Sequence, residues 1–471
     1  MKRGLFIAVL AVLSCIDAGA QYIYEVLEYI PAPGQLINVA PWGTPAGVHS
    51  IEGGIQGSVS LGAFGGNVIF RFEDPVENDS QNPYGVDFTI FGNPMSEWSE
   101  PAVVWVMKDE NGNGEPDDSW YELAGSDYWF SSTIKGYEMS YTNPGGELAM
   151  DVPWEDHLGN SGAIRANSVH TQPYYPLADS FPSIDPVTYT LEGTLLEGLV
   201  YEHPTGMRSV RRAFGYADNQ LRGNEPYTTP DNPYTRDLEH SGGDAFDIGW
   251  AVDADGTYLE LDQIHFIKVQ SAIQADGGWL GELSSELTGA VDVSPDPGVS
   301  GETEMVVIRD LPFLLETDEY QLEVFVFQNG RLNKDRSIEW ITSVPGARVD
   351  DGNMLTVSEE GPLTITARLS DRPDISAAVS TTVQFKPTSM DEGAGSDTGS
   401  CLYPNPVSDI FRVKGSRESS ILLFDASGKE LLRMDHYREE TAVDISSYPQ
   451  GIYLLRLEQG NSTEWLKLIK R

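Results

Sequence analysis

Val68-Ile69-Phe70-Arg71-Phe72-Glu73 sets Val68, Phe70 and Phe72 on one face of an extended chain, with Arg71 and Glu73 on the other. Val86-Asp87-Phe88-Thr89-Ile90 repeats the pattern, with Asp87 and Thr89 opposite the apolar face. Val103-Val104-Trp105-Val106-Met107 is apolar on both faces, which predicts a central strand covered on each side. Further along, Ala245-Phe246-Asp247-Ile248-Gly249-Trp250-Ala251-Val252 reads as a strand. It turns at Asp253-Ala254-Asp255-Gly256 and returns through Thr257 to Leu261, and Ile264 to Val269 follows. Long runs of helical period are missing, and 47 glycines and 29 prolines punctuate the chain as they do in turn-rich β-proteins. The fold class is therefore all-β, and residues 21–293 predict a jelly-roll-like β-sandwich. No repeat at a spacing of about 20–50 residues suggests a solenoid or propeller.

Beyond this region, Ser294-Pro295-Asp296-Pro297-Gly298-Val299-Ser300-Gly301 reads as a linker. Residues 302–387 then give alternating runs at Met305–Ile308, Tyr320–Phe327, Ile338–Thr342, Leu363–Ala367 and Ala377–Phe385. Asn329-Gly330 and Asp351-Gly352-Asn353 part some of them, so the segment predicts an Ig-like or PKD-like sandwich. It resembles the tandem β-modules of bacterial surface proteins and holds no titratable cluster, which suits a spacer. Residues 388–399, small and polar, are a second linker.

Both ends carry processing signals. Lys2 and Arg3, the apolar run Leu5–Leu13 and Ala18-Gly19-Ala20 make residues 1–20 a secretory signal peptide, leaving Gln21 first in the mature chain. Val12-Leu13-Ser14-Cys15 is a weaker match to a lipobox, which would instead lipidate Cys15. With Cys15 removed, Cys401 is the one thiol left, so no intramolecular disulfide forms. Residues 400–471 contain Tyr403-Pro404-Asn405-Pro406-Val407-Ser408-Asp409, Ile421-Leu422-Leu423-Phe424-Asp425-Ala426-Ser427-Gly428-Lys429, Val443-Asp444-Ile445-Ser446 and Gly451-Ile452-Tyr453-Leu454-Leu455-Arg456-Leu457. Lys467-Leu468-Ile469-Lys470-Arg471 closes the chain. These are short strands split by turns, a small β-sandwich. As ordered motifs they resemble the C-terminal sorting domain of the type IX secretion system of Bacteroidota. The resemblance implies engagement of the type IX secretion machinery, export across the outer membrane, removal of this domain, and release or attachment to surface lipopolysaccharide. The blocks Ser60–Gly66, Phe91-Gly92-Asn93 and Asp118–Ser126 resemble uncharacterised secreted β-proteins of the same bacteria, a likeness that brings no activity with it.

Charge separates the parts. The whole chain carries −42, yet residues 401–471 hold ten acidic and ten basic side chains. Residues 21–400 hold 61 acidic against 18 basic, a net of −43. That excess excludes nucleic acid and anionic membrane as partners and suits cations.

Asp109-Glu110-Asn111-Gly112-Asn113-Gly114-Glu115-Pro116-Asp117-Asp118 carries the sharpest chemical pattern. Oxygen side chains recur at alternate positions before a glycine, and acids follow. Calcium takes six to eight hard oxygens from a tightly curved loop, and such alternation supplies them. Asp109, Asn111, Asn113, Asp117, Asp118 and the Glu115 carbonyl are the expected ligands. Trp120 stands where an EF-hand needs Glu, so the loop resembles the shorter aspartate-rich calcium loops of extracellular modules. The competing reading is a metal-free Asn-Gly turn.

Other chemistry leaves weaker traces. Asp253–Gly256 is a hairpin turn first and a metal loop second. His240 is spaced to meet Asp244, and Glu100 and Asp244 are named as carboxylate candidates without a partner being singled out. The seven histidines show no metalloprotease spacing, and neither a nucleophile elbow nor a phosphate-binding loop occurs. Trp42, Trp98, Trp120, Tyr121, Trp129, Trp154, Tyr174 and Tyr175 lie near loops and fit a sugar- or ring-stacking surface, although core packing accounts for most of them; Tyr174, Tyr175 and Trp154 are the ones expected to be exposed. Three readings follow. The first is a secreted or surface-anchored, calcium-binding, non-enzymatic protein for a glycan or other small nutrient ligand. The second is a glycan-degrading or other hydrolase on the same scaffold, and the third a structural surface-layer component.

Overall fold

The computed structural model describes residues 21–203, 206–223, 227–385, 401–403, 405, 407–414, 419–424, 429–438, 441–459 and 462–470. The signal peptide with Cys15, the 388–399 linker, Pro404, Pro406 and the Ala426-Ser427-Gly428 turn lie outside these residues. The chain divides into two units, residues 1–385 and 386–471. Among the described residues there is no α-helix, only short 3-10 turns between strands. None is long and apolar enough to cross a membrane.

The predicted alternation builds the first unit. A six-stranded sheet runs in the order Glu25–Ile30, Asn67–Arg71, Phe266–Ser271, Ala102–Met107, Trp120–Leu123, Ala251–Val252, every pairing antiparallel. Ala102–Met107, apolar on both faces, takes the central place expected of it. A three-stranded sheet, Asp244–Phe246, Phe88–Phe91 and Gly289–Asp292, supplies the second layer. Val68, Phe70, Val104, Val106, Ile267 and Val269 from the first layer and Phe88, Ile90, Phe246 and Ala290 from the second close one core. Within it the Phe88 and Phe246 rings stack 5.3 Å apart. Each buried Val, Ile or Phe side chain among them contributes roughly 1.5–3 kcal/mol. Outside this sandwich, Ser161–Ile164, Val152–Asp156, Ile134–Thr142 and Thr188–Leu195 form a four-stranded antiparallel sheet.

Two local expectations change. Asp87 and Thr89 do not face solvent; both are fully buried, because the strand is covered on either side. Asp87 is held there by amide donors from Asp79, Asn82 and Ile248, at 3.1, 2.9 and 2.8 Å. The run 245–252 is not one strand. Asp247 accepts a hydrogen bond from the Gly249 amide (2.6 Å) and starts the 3-10 turn Ile248–Trp250, so the chain leaves the three-stranded sheet and enters the six-stranded one.

Residues 302–385 form three small sheets. Asn329-Gly330 is a tight hairpin turn with positive φ at both residues (49° and 68°), which an Asn-Gly pair tolerates. Strand Glu304–Ile308 serves two cores. Met305 and Val307 pack into the large sandwich, while Val306 and Ile308 pack into the module's own core. Phe327 and Val326 divide in the same way on the neighbouring strand. Residues 294–301 therefore join two parts that share packed strands rather than act as a loose tether.

The second unit has a three-stranded sheet (Cys401–Tyr403, Ile410–Lys414, Val443–Asp444) and a four-stranded one (Glu430–Tyr437, Ser419–Phe424, Gly451–Gln459, Ser462–Lys470). Phe411, Val413, Ile421, Leu423, Leu455, Leu457 and Leu468 share its core. Lys470, read as part of a basic end, is buried and donates to the carbonyls of Ile445, Ser446 and Tyr448.

Candidate functional site

The loop 109–118 joins two neighbouring strands of the six-stranded sheet, paired at Met107 and Trp120, and stands in solvent. Gly112 and Gly114 hold φ of 71° and 76°, and these left-handed residues curl the chain back on itself. Asp109 is the hub. Its Oδ1 accepts from the amides of Gly112 (2.7 Å) and Asn113 (3.2 Å), and its Oδ2 from Gly114 (2.8 Å). The Gly114 amide is the main cause holding this carboxyl below the usual carboxylate range. The Asp109 amide in turn donates to His265 Nδ1 (3.1 Å), which ties the loop to the next strand region.

Asn111 and Asn113 each donate a side-chain N–H to Asp117, at 2.9 and 3.0 Å, one to each oxygen. Asp118 turns to the amides of Glu110 and Asn111 (2.8 and 3.3 Å), and the Glu115 carbonyl accepts from the Asp117 amide (2.9 Å). Asn111, Asn113 and Asp117 are thus linked in one hydrogen-bonded ring, and Asp109 joins it through the Asn113 amide. Among the described residues, the carboxylates of Asp109, Asp117 and Asp118 do not form a group of three within ligand spacing. Both Asn carbonyls accept backbone amides, Asn111 Oδ1 from Asn113 (2.9 Å) and Asn113 Oδ1 from Glu115 (2.8 Å).

The group that does reach that spacing is not legible as a group in the sequence, because its members lie on three distant segments. Carboxylate oxygens of Glu100, Asp218 and Glu286 lie within 4.8 Å of one another in the interior. Glu100 precedes the central strand and accepts from the Ser284 amide (3.0 Å). Asp218, held at φ 55°, accepts from Asn93 and Glu286 amides (2.9 and 2.8 Å). Glu286 sits on the short strand Glu286–Leu287, paired with Val59–Ser60. Burial, then the charge of Glu286, pushes Glu100 and Asp218 well above the carboxylate range, and burial raises Glu286 to about 7. Glu282, two residues before Ser284 on the same face of the extended chain, is raised by burial to about 8. Without a cation between them, three carboxylates this close share protons. Alternation at Glu282-Leu283-Ser284-Ser285-Glu286 is visible in the sequence, but it reads as an ordinary solvent-facing polar side.

The remaining candidates fall elsewhere. Asp244 is buried and accepts from Asn219 and Gln220 amides (3.0 and 2.8 Å), while His240 meets the Tyr84 hydroxyl (3.1 Å) instead of Asp244. Tyr174 and Tyr175 are 1% exposed, so they are core and not a stacking surface. Their ring bodies join the core beside the four-stranded sheet, and Tyr175 donates to the Asp185 carbonyl (2.6 Å). Trp98 is buried too, whereas Trp42 stays exposed and Trp154 half-buried. Asp253 closes a hairpin turn by accepting from Asp255 and Thr257 amides (2.9 and 2.8 Å).

Residues 401–471 match the family described as "Secretion system C-terminal sorting domain". They are a type IX secretion sorting tail, and the tail engages that secretion machinery. The chain is accordingly an all-β protein that is secreted or displayed at the cell surface. No curated protein matches it. Among solved structures, the Escherichia coli adhesin FdeC is similar at 12% identity, over 45% of this chain and 78% of that one, with a TM-score of 0.16. The extracellular domains 3–5 of Drosophila OTK align at 11% identity over 46% and 82%, TM-score 0.16. The BSP domain of a biofilm associated protein aligns at 9% over 86% and 64%, TM-score 0.13.

Proposed function

We propose that the protein is a calcium-binding, non-enzymatic ligand-binding protein, released by or anchored to the surface of a Bacteroidota cell after loss of its sorting tail. Surface lipopolysaccharide is the proposed anchor. The linked set Asp109, Asn111, Asn113 and Asp117 carries the calcium part of the reading: four oxygen-bearing side chains on one solvent-open loop, curled by two left-handed glycines. A hard cation there would neutralise the carboxylates of Asp109, Asp117 and Asp118. Extracellular loops of this kind bind calcium at about 10⁻⁴–10⁻³ M. At a hundredfold excess over the dissociation constant, binding adds about 2.7 kcal/mol to stability. The test is thermal melting of the full chain with calcium and with chelator. A rise in melting temperature that Asp109→Ala removes supports the reading, and an unmoved curve leaves a metal-free turn.

A further inference from the structure

A cavity of about 650 Å³ opens where the loop 78–85, the turn at 247–249, residues 297–303 and the hairpin 328–331 meet. That volume is typical of small-ligand sites, which favour junctions between packed modules. Its walls are rigid, because the two parts share strand Glu304–Ile308 between their cores. Cross-bonds also lock them. Trp250 Nε1 donates to the Asn329 carbonyl (3.1 Å), Arg331 Nε to the Gly249 carbonyl (2.7 Å), and the Leu332 amide to the Tyr258 hydroxyl (2.9 Å).

The wall is rich in hydrogen-bond acceptors. Asn82, only 5% exposed, donates its amide to Asp87 (2.9 Å), and this bond fixes the orientation of the group. Its carbonyl Oδ1 is left buried without a partner. That atom is closed off from solvent, so Asn82 shapes the wall while the exposed polar groups around it face the cleft. Asp79 and Glu260 add carboxylates, and Asp247, raised by burial to about 7, adds a carboxyl that can donate as well as accept. Arg331, the one Lys or Arg among the described lining residues, is already used by Gly249, Glu260 (2.6 Å) and Leu259 (3.3 Å). Tyr84, also on the wall, holds φ of 56°, a left-handed conformation that is strained for a bulky residue. A second cavity of about 460 Å³ shares Asp79 and Asn82 as wall and continues towards Asp74, Glu77 and Asp292.

We propose that this cleft binds a neutral, hydroxyl-rich ligand, an oligosaccharide; the proposal rests on the ligand-binding reading above and gives it a location and a ligand class. Sugar hydroxyls both donate and accept, so they match the polar wall residues Ser80, Gln81 and Thr303 and the second oxygens of Asp79 and Asp247, whose first oxygens already accept from the Gln81 and Gly249 amides (2.8 and 2.6 Å). An anion would meet acids whose only neighbouring cation is spent, and an apolar ligand would strand the acceptors. A metal ion is the poorer fit, since among the described residues three carboxylates reach ligand spacing at Glu100, Asp218 and Glu286 instead of here. Two adjoining cavities suit a chain of sugar rings better than one.

The test is calorimetric titration of the full chain with neutral tri- to hexasaccharides of glucose, xylose, mannose and N-acetylglucosamine, with spermidine and inorganic phosphate as controls. Ser300→Trp fills the mouth of the cleft from an exposed position, and Gln81→Trp repeats the test from the loop 78–85. The expected result is binding of at least one oligosaccharide, weakened more than tenfold in either variant that keeps the parent melting temperature. Three results overturn the proposal: no oligosaccharide binds, the variants bind as the parent does, or only spermidine or phosphate binds. The calcium response is read separately by melting, so failure of either reading is seen without the other.

Discussion

Glu282 offers a direct test of how the interior handles its acids. One oxygen accepts from the Gln35 amide at 2.6 Å, and the other is buried without a partner. Burial raises the group from 4.5 to about 8. A carboxyl whose pKa is higher in the folded than in the unfolded chain holds its proton more tightly when folded. Its stabilising share is complete below about pH 4.5 and is lost as pH rises through about 8. At 1.36 kcal/mol per pH unit, that loss is of order 4 kcal/mol between pH 5 and 8. Glu282→Gln keeps a carbonyl for the Gln35 amide and cannot ionise. Its new N–H₂ takes the place of the unpartnered oxygen, a cost of about 1–3 kcal/mol. The variant is therefore expected to be less stable than the parent at pH 5 and more stable at pH 8, the two curves crossing between. Urea unfolding at each pH reads this. Parallel curves, equal in slope to within about 1 kcal/mol over that range, would refute the reasoning.

The other expectations are quicker to state. Asp109→Ala removes the acceptor for three loop amides and should abolish most of the calcium-dependent rise in melting temperature, while the far-ultraviolet circular dichroism stays unchanged. Magnesium should replace calcium poorly, because it demands tight octahedral geometry, and equal effects of the two ions would point away from this loop. Phe88→Ala should cost about 3–5 kcal/mol, since it empties a fully buried position stacked on Phe246; urea midpoints measure it. Intact mass of the exported protein should begin at Gln21 and end within 388–399, and a surface form still carrying Lys470-Arg471 would sink the processing claim.

The sheet elements were legible where one physical cause acted alone. Val68, Phe70 and Phe72 alternate because one side of their strand meets the sandwich core, and Val103–Met107 is apolar throughout because neighbours cover both faces. The signal failed where polar residues go inside. Asp87, Asp218, Glu282 and Glu286 look like surface in a sequence, since nothing local says that backbone amides from distant segments will pay for their burial. Tyr174 and Tyr175 misled for the opposite reason: each has a polar tip that suits a surface, and only the fold reveals the partners that satisfy it inside. The loop 109–118 was readable as a curled, oxygen-rich turn because its geometry is local to ten residues. The cleft beside Asn82 was not, because its walls come from five separate stretches of chain.

The acids thus divide into two populations with opposite responses. Those in exposed turns, such as Asp109 and Asp185, are held below the usual range by backbone amides and stay ionised. Those in the interior, including Glu122, Asp247, Glu282 and Glu286, are raised by burial to about 7 or 8 and keep their protons into the neutral range. The formal charge of −43 on residues 21–400 therefore overstates what the folded protein carries near neutrality. It also means that acidity protects the fold from within while a cation would protect it from outside. Rising pH removes the first protection, and a chelator would remove the second. Alkaline, calcium-poor medium is where the two losses would coincide under the proposed calcium site, and the acid-rich interior then depends on packing alone.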